Sequence, residues 1–519
     1  MKARSGVDSH MALALDRLPP LLADHVLLCA AALGLALLVS VPLGLAAAHR
    51  PRFAAILLGI ASVIQTIPGL ALLALFYPIL LAFSSAVGGG IPALGFLPSL
   101  LALSLYAVLP MLRNIVAGIN GIDPALVEAA DGVGMTGRQK LLLVEAPLAA
   151  PVVMAGIRVA AVWTIGAATL STTVGQPSLG DLIFSGLQTQ DWSTVLVGCI
   201  AAALLALLVD TLLGLIEHAI ARRKRGRALV AAVLILVGIG WAAAPLLAPR
   251  QDSVVVGAKN FSEQFILARL IGQRLERAGY RVTYREGLGS AVAFSALAAG
   301  DVDVYVDYGG TIWTGPMKRS DNPPRAAMLA EIGRWSRAEH GVGLVGPLGF
   351  ENAYALAVRG ADARRLGLAS IADLARAAPN MTLGADLEFL DRTEWRAIER
   401  AYGLRFRARR AYAPSFMYRA LASRQADVIS AFSSDGRIAA DRLVVLADPR
   451  RATPAYDAMM LVSPAHTDDA RFLAALRPLV GAVPVTAMRE ANYRVDRDSD
   501  KQTPEAAARW LDGEIGGGK

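Results

Sequence analysis

The sequence has 519 residues, 55% hydrophobic and 18% charged, with a net charge of +8 and a mean hydropathy of +0.46. Single cores seldom grow past about 250–300 residues, so more than one domain is expected. Only 15 of the 51 Lys+Arg and 11 of the 43 Asp+Glu fall within residues 1–250, which excludes a wholly soluble protein, and neither half has the concentrated basic excess of a nucleic-acid binder.

A bilayer core of about 30 Å needs roughly 20 apolar residues of helix. In chain order, residues 24–47, 53–83, 97–117, 148–170, 193–216 and 229–248 have that length and character. Residues 53–112 contain no charge and must hold two spans, with the Gly/Pro-rich segment 85–96 as the turn between them. Pro68 and Pro78 predict a kinked or broken helix in the first of these. Both cysteines, Cys29 and Cys199, lie in apolar runs and read as small hydrophobes. Three segments are basic: 49–52, the loop 118–147 with Arg138 and Lys140, and the cluster Arg222, Arg223, Lys224, Arg225 and Arg227. All three are cytoplasmic at once if the N-terminus lies outside and the spans alternate, although Lys2, Arg4 and Arg17 oppose that placement. The span 229–248 then carries the chain outward and tethers the half that begins at about residue 250. No cleaved signal peptide is expected.

The loop 118–147 holds Glu128-Ala129-Ala130, then Gly134, then Val144 and Pro147. Local chemistry predicts a short helix, a turn at Gly134 and a second helix ending before Pro147. The spacing resembles the EAA coupling loop of ABC importer permeases, with Val144 and Ala146 at positions usually held by Ile and Leu. The resemblance implies that Glu128, Ala129, Ala130, Gly134 and Pro147 dock a cytoplasmic ABC ATPase subunit, and that the permease works as a homodimer of this chain. No G-x-x-x-x-G-K-[ST] occurs, so this chain has no P-loop; ATP and Mg would act on the partner, and no cofactor is expected here.

Residues 251–519 alternate β-rich and helical runs, the pattern of an α/β domain. A strand at Val254–Gly257 precedes a helix with Ser262 as N-cap and Glu263 in its first turn. Val282–Tyr284 is a second strand, Ser290 begins a helix ending near Gly300, and Val302–Val306 is a third strand. About 270 residues built this way suggest two lobes. Lobe one is read as about 251–354 plus 462–519 and lobe two as about 355–461, with crossings near 352–358 and 456–464.

Five motifs in this half carry a second resemblance: KNFSEQ at 259–264, YVDYGGT at 305–311, ENAYAL at 351–356, SSDGRI at 433–438 and PAYDAMML at 454–461. They look like receptors for glycine betaine, proline betaine, choline or carnitine. The membrane half, with ASVIQTIPGLALLA at 61–74, resembles the permeases of the same importers. The whole chain is thus similar to a fused permease and solute receptor in the bacterial inner membrane. The expected fold is an α-helical polytopic type I importer permease (1–227, coupling loop 118–151), a tethering span and linker (228–250), and a two-lobed α/β type II binding-protein domain (251–519).

A quaternary ammonium has no N–H to donate. Aromatic faces hold it, each contact contributing about 0.5–2 kcal/mol. The resemblance places Tyr308, Tyr354, Phe432 and Tyr456 in an aromatic cage, with Lys259, Arg392 and Thr311 on a ligand carboxylate. Phe432 stands where Tyr is usual, and Asn352 where some members carry an acid. Taken alone, any one ring reads as core packing, Lys259 as a solvent-facing residue, and Arg392 as a helix cap or a partner of Glu388 or Asp391. Tyr305, Trp313, Tyr412 and Tyr418 read as core or supporting rings, Tyr418 foremost. The six histidines show no metal spacing, and nothing points to catalysis. An importer for an amino acid or another small cation, and a tethered sensor without transport, are the competing readings.

Overall fold

The computed structural model describes residues 2–88, 91–189, 191–222, 225–247, 253–497 and 499–516. Arg223 and Lys224 of the basic cluster, and the linker 248–250, lie outside these. Two compact units make up the chain, one of apolar helices and one formed mainly by residues 251–519.

The first unit follows the expected spans. Helix α1 (Lys2–Ala48) includes the first; α2 (Pro51–Thr66) and α3 (Gly69–Ala86) cover the second stretch; α4 (Phe96–Asn120) is the third. The α2–α3 pair is bent by 99° at the break before Gly69. Pro68 sits at the N-cap of α3, where its missing N–H costs nothing. The kinked or broken helix expected from the prolines is therefore two helices with a sharp break between them. After α5 (Pro124–Gly132) and the short α6 (Gly137–Lys140) come α7 (Ala146–Ala168), α8 (Gly180–Gln188), α9 (Trp192–Ala221) and α10 (Arg225–Leu247). Among the described residues five helices are long and apolar enough to cross a membrane, or six if the bent pair is one span.

The coupling segment differs from expectation at one point. Asp123 caps α5, Gly134 turns with φ +77°, and Thr136 and Gln139 form a capping box at α6. The second helix does not stop before Pro147. A π-helical turn, Leu141–Glu145, joins α6 to α7, and the Ala146 N–H bonds five residues back to Leu141. Pro147 then sits in the first turn of α7, where a proline needs no donor.

The second unit contains two five-stranded sheets. The first comprises β1 (Ser253–Lys259), β2 (Arg281–Leu288), β3 (Val304–Tyr308), β4 (Gly343–Glu351) and β10 (Asp457–Val462), in the order β2-β1-β3-β10-β4. The second comprises β5 (Tyr354–Arg359), β6 (Thr382–Ala385), β7 (Ala408–Ala411), β8 (Val428–Phe432) and β9 (Leu443–Val445), in the order β7-β6-β8-β5-β9. Parallel pairs occupy one side of each sheet, and β10 and β5 run antiparallel to their neighbours. The strand 457–462 pairs in lobe one, not lobe two as read from sequence, because its fully buried run inserts between β3 and β4. The returning crossing thus lies between β9 and β10, before Asp457; the outgoing one is Asn352-Ala353, between β4 and β5.

Helix α11 (Ser262–Arg277) packs on the first sheet through Phe265, Ile266, Leu270 and Leu275. Its N-cap is Phe261, in extended conformation, and Ser262 is the first helical residue. The Ser262 hydroxyl binds Asp496 at 2.6 Å and makes no cap. Helices α12 (Ser290–Ala299) and α13 (Gly309–Thr314) each follow a strand of the same sheet.

Candidate functional site

All seven residues expected to bind ligand line one cavity of about 410 Å³ in the second unit. The reason is topological. Lys259 ends β1, Tyr308 ends β3, Phe432 ends β8 and Tyr354 opens β5. Parallel strands gather their carboxyl ends at one edge, and ligands of α/β sheets bind there.

Register sets the rings. Tyr354 and Phe432 are cross-strand partners, and their centroids are 5.2 Å apart. Tyr456, just before β10, meets the Tyr354 ring edge-on at 5.8 Å. A Cβ on Gly310 would fall 2.5 Å from the Tyr456 ring, so the second glycine of YVDYGGT is what admits that ring. Phe261 was not assigned a role from sequence. It stacks on Phe432 at 5.9 Å, nearly parallel, and on Tyr308 at 6.2 Å, which joins the rings into a continuous run. Tyr412 also lines the cavity, whereas Tyr418 does not. Tyr418 is buried beneath Arg437 in an adjoining cleft. The missed signal is position: Tyr412 directly follows β7, as Phe261 closely follows β1.

The two expected cations differ in their commitments. The Lys259 ammonium pairs with Asp307, and both side chains are sealed from solvent. Asp307 also accepts from Tyr305 Oη at 2.5 Å and from the Tyr308 backbone N–H at 2.7 Å. Lys259 therefore borders the cavity but is neither solvent-facing nor an uncompensated charge. Arg392 lies over the Tyr354 ring at 5.3 Å and gives Glu394 a bond of 3.1 Å. Glu394 is thus a carboxylate partner that sequence did not suggest; of the two it did suggest, the Glu388 side chain lies outside the described ones. A guanidinium carries five donors in a fixed fork, which lets it serve a ligand carboxylate as well. Thr311 lies in α13 on the cavity wall.

Buried carboxylates receive two of the three cage hydroxyls. Tyr308 Oη donates to Glu263 Oε1 at 2.6 Å, and Tyr456 Oη donates to Glu394. Burial and the adjacent carboxylates push both phenols well above their usual range. Burial alone would raise the Glu394 carboxyl, but the charge and hydrogen bond of Arg392, with the Tyr456 hydroxyl, hold it below the usual range. Glu394 belongs to lobe two, and it also accepts from Thr314 of lobe one at 2.9 Å, so it ties the lobes beside the cavity.

The adjoining cleft shares Phe261, Asn352 and Phe432 with the cavity and adds Asp435 and Asp496. Burial, and then Asp435, push the Asp496 carboxyl up to about 6, against the opposing pull of Arg437, Ser262 and Lys501. A raised folded pKa means that the stabilising contribution is complete below the unfolded value of about 3.9 and is lost as pH rises through about 6. Asp496→Asn should flatten the thermal midpoint between about pH 4 and 6 and raise it at pH 8. A midpoint that falls at pH 8 would contradict this.

In the membrane unit Ala130 is buried, while Glu128, Ala129, Gly134 and Pro147 are exposed. Leu126, Val133, Leu142 and Leu143 nearby also present apolar side chains outward.

Residues 252–513 match the family described as the substrate binding domain of the ABC-type glycine betaine transport system. Residues 40–226 match the binding-protein-dependent transport system inner membrane component. The chain is a fused permease and substrate-binding subunit of an osmoprotectant ABC importer. It is similar to the ergothioneine transport permease/ergothioneine binding protein of Helicobacter pylori, with 28% identity over 480 residues, covering 89% of this chain and 84% of that one. It is also similar to the choline transport system permease protein of Bacillus subtilis, with 39% identity over 195 residues, covering 38% of this chain and 84% of the relative. A solved glycine betaine/carnitine/choline ABC transporter structure aligns with 25% identity and a TM-score of 0.44, covering 50% of this chain and 97% of that one. The importer subunit carries its permease and its receptor in one polypeptide of the inner membrane.

Proposed function

We propose that this subunit captures a quaternary-ammonium solute in the cavity between its lobes and passes it to its own permease unit. The observation that carries this reading is the run of rings Tyr308, Phe261, Phe432, Tyr354 and Tyr456 bordering one cavity with Arg392 at its side. The rings would hold the ammonium, and Arg392 with Thr311 would hold a carboxylate. The receptor would face the periplasm or the extracellular side. Two copies of the chain would form the translocation path, and a cytoplasmic ATPase would supply ATP hydrolysis with its magnesium.

Calorimetric titration of the full chain in detergent with glycine betaine, choline, carnitine, ergothioneine and a control amino acid tests the ligand class. Binding of at least one ammonium compound and not of the amino acid is expected; the reverse overturns the reading. Ergothioneine is the second reading, favoured because the Helicobacter relative matches across both units. It is itself a betaine, so the same cage and carboxylate site would serve it.

The coupling segment would dock the ATPase. Glu128→Ala combined with Gly134→Val should abolish uptake in whole cells, since valine is strained at the positive φ of Gly134. Ligand affinity should stay within about twofold of wild type, because the substitutions lie in the membrane unit. Normal uptake in this variant would remove the docking assignment.

A further inference from the structure

We propose that Glu263 supplies the negative charge of the ammonium end of the cavity, acting through Tyr308 and Asn352 without touching the ligand. This rests on the cavity being a quaternary-ammonium site. Glu263 lies in the first turn of α11 and is 3% exposed. Its Oε1 accepts from Tyr308 Oη at 2.6 Å and from Asn352 Nδ2 at 2.9 Å, and its Oε2 accepts from Asn492 Nδ2 at 2.9 Å. The two amide nitrogens can only donate, and the Tyr308 oxygen already accepts from Gln264 Nε2 at 2.9 Å. Burial pushes the Glu263 carboxyl up, and the donors converging on it work against that rise by favouring the ionised form.

The charge count gives this carboxylate its meaning. Lys259 is matched by Asp307 and Arg392 by Glu394. The groups bonded to Glu263 are all neutral, and none of the described Lys or Arg residues forms an ion pair with it. A buried anion of this kind is costly unless a cation completes it. Tyr308 and Asn352 stand between it and the cavity, since both line that cavity and both bind Glu263. Bonding to a carboxylate makes the phenol ring richer in electrons, which strengthens its attraction for a cation. Asn352 spends its Nδ2 on Glu263, and its buried Oδ1 has no hydrogen-bond partner among the described residues. That oxygen is an acceptor for polarised N-methyl groups.

The test uses the full chain in detergent and two matched ligand pairs: glycine betaine and choline, each against its tert-butyl analogue with carbon in place of nitrogen. In wild type the ammonium member of at least one pair should bind more tightly. Glu263→Gln should weaken that member by about tenfold or more and leave its analogue within about twofold, because only the charged ligand feels the lost anion. Glu263→Gln with Asn352→Asp returns a carboxylate to the same hydrogen bond and should restore most of the preference. Tyr308→Phe keeps the ring but cuts it from Glu263; it should lower the preference by about threefold, and it remains informative if Glu263→Gln fails to fold. Preference unchanged in the foldable variants, or equal weakening of both members of a pair, overturns the proposal. A wild type with no preference in either pair overturns the ammonium reading and this proposal together. Intact wild-type preference that survives Glu263→Gln overturns this proposal alone.

Discussion

Arg392→Met should weaken glycine betaine binding by about 10- to 100-fold, while choline stays within about threefold of wild type. The difference follows from the ligands: glycine betaine has a carboxylate and choline has none. A hydrogen bond to a charged group contributes about 1.5–3 kcal/mol, and each 1.4 kcal/mol is tenfold in affinity. Methionine keeps an unbranched apolar side chain beside the Tyr354 ring, over which the guanidinium lies, so choline reports any loss of cage packing. Glu394 complicates the substitution, because Arg392 holds its carboxyl below the usual range against the effect of burial. A carboxyl of depressed folded pKa contributes stability that is present above its unfolded value of about 4.3 and is lost as pH falls through the folded value. Without Arg392 the carboxyl moves upward. Titration at pH 8 keeps Glu394 ionised in both proteins, with Tyr456 and Thr314 still donating to it. If both ligands weaken equally, Arg392 shapes the cavity and does not read the carboxylate.

The sequence made the broad architecture legible because its signals are one-dimensional. Charge-free runs of spanning length mark the membrane helices, and β-rich runs alternating with helical ones mark the lobes. The motif residues Tyr308, Tyr354, Phe432 and Tyr456 do come together at one cavity, since the motifs sit at strand ends that the sheet order collects. What escaped depends on pairing between distant segments. Phe261 carries no role of its own within the KNFSEQ motif, and only the fold shows its ring stacked on Phe432. Tyr412 was ranked below Tyr418 because spacing cannot show which ring faces the cavity. The assignment of 457–462 to lobe one depends on a strand inserting between β3 and β4, which local pattern does not encode. Pro147 failed as a stop signal because the π turn before it removes the bond that proline would have broken.

The partner of Lys259 also escaped, and it changes what substitution there should do. Lys259→Met should destabilise the second unit by about 3–5 kcal/mol, the usual cost of removing one member of a buried ion pair. Asp307 is fully buried and would keep only the Tyr305 hydroxyl and the Tyr308 N–H against its charge. Since Tyr308 is a cage ring, strain at Asp307 should also weaken glycine betaine and choline together. A lysine that served only to bind a ligand carboxylate would behave in the opposite way: stability unchanged, glycine betaine weakened, choline spared. Lys259→Met with Asp307→Asn separates the two. Asparagine carries no charge, keeps one oxygen to accept from the Tyr308 N–H and offers its amide nitrogen as a donor to the Tyr305 hydroxyl oxygen, so the double variant should recover more than half of the lost stability. Denaturant unfolding followed by intrinsic fluorescence reads the second unit, in which Trp313 and Trp395 are buried. A single variant as stable as wild type would show that the Lys259–Asp307 pair does not hold the floor of the cavity.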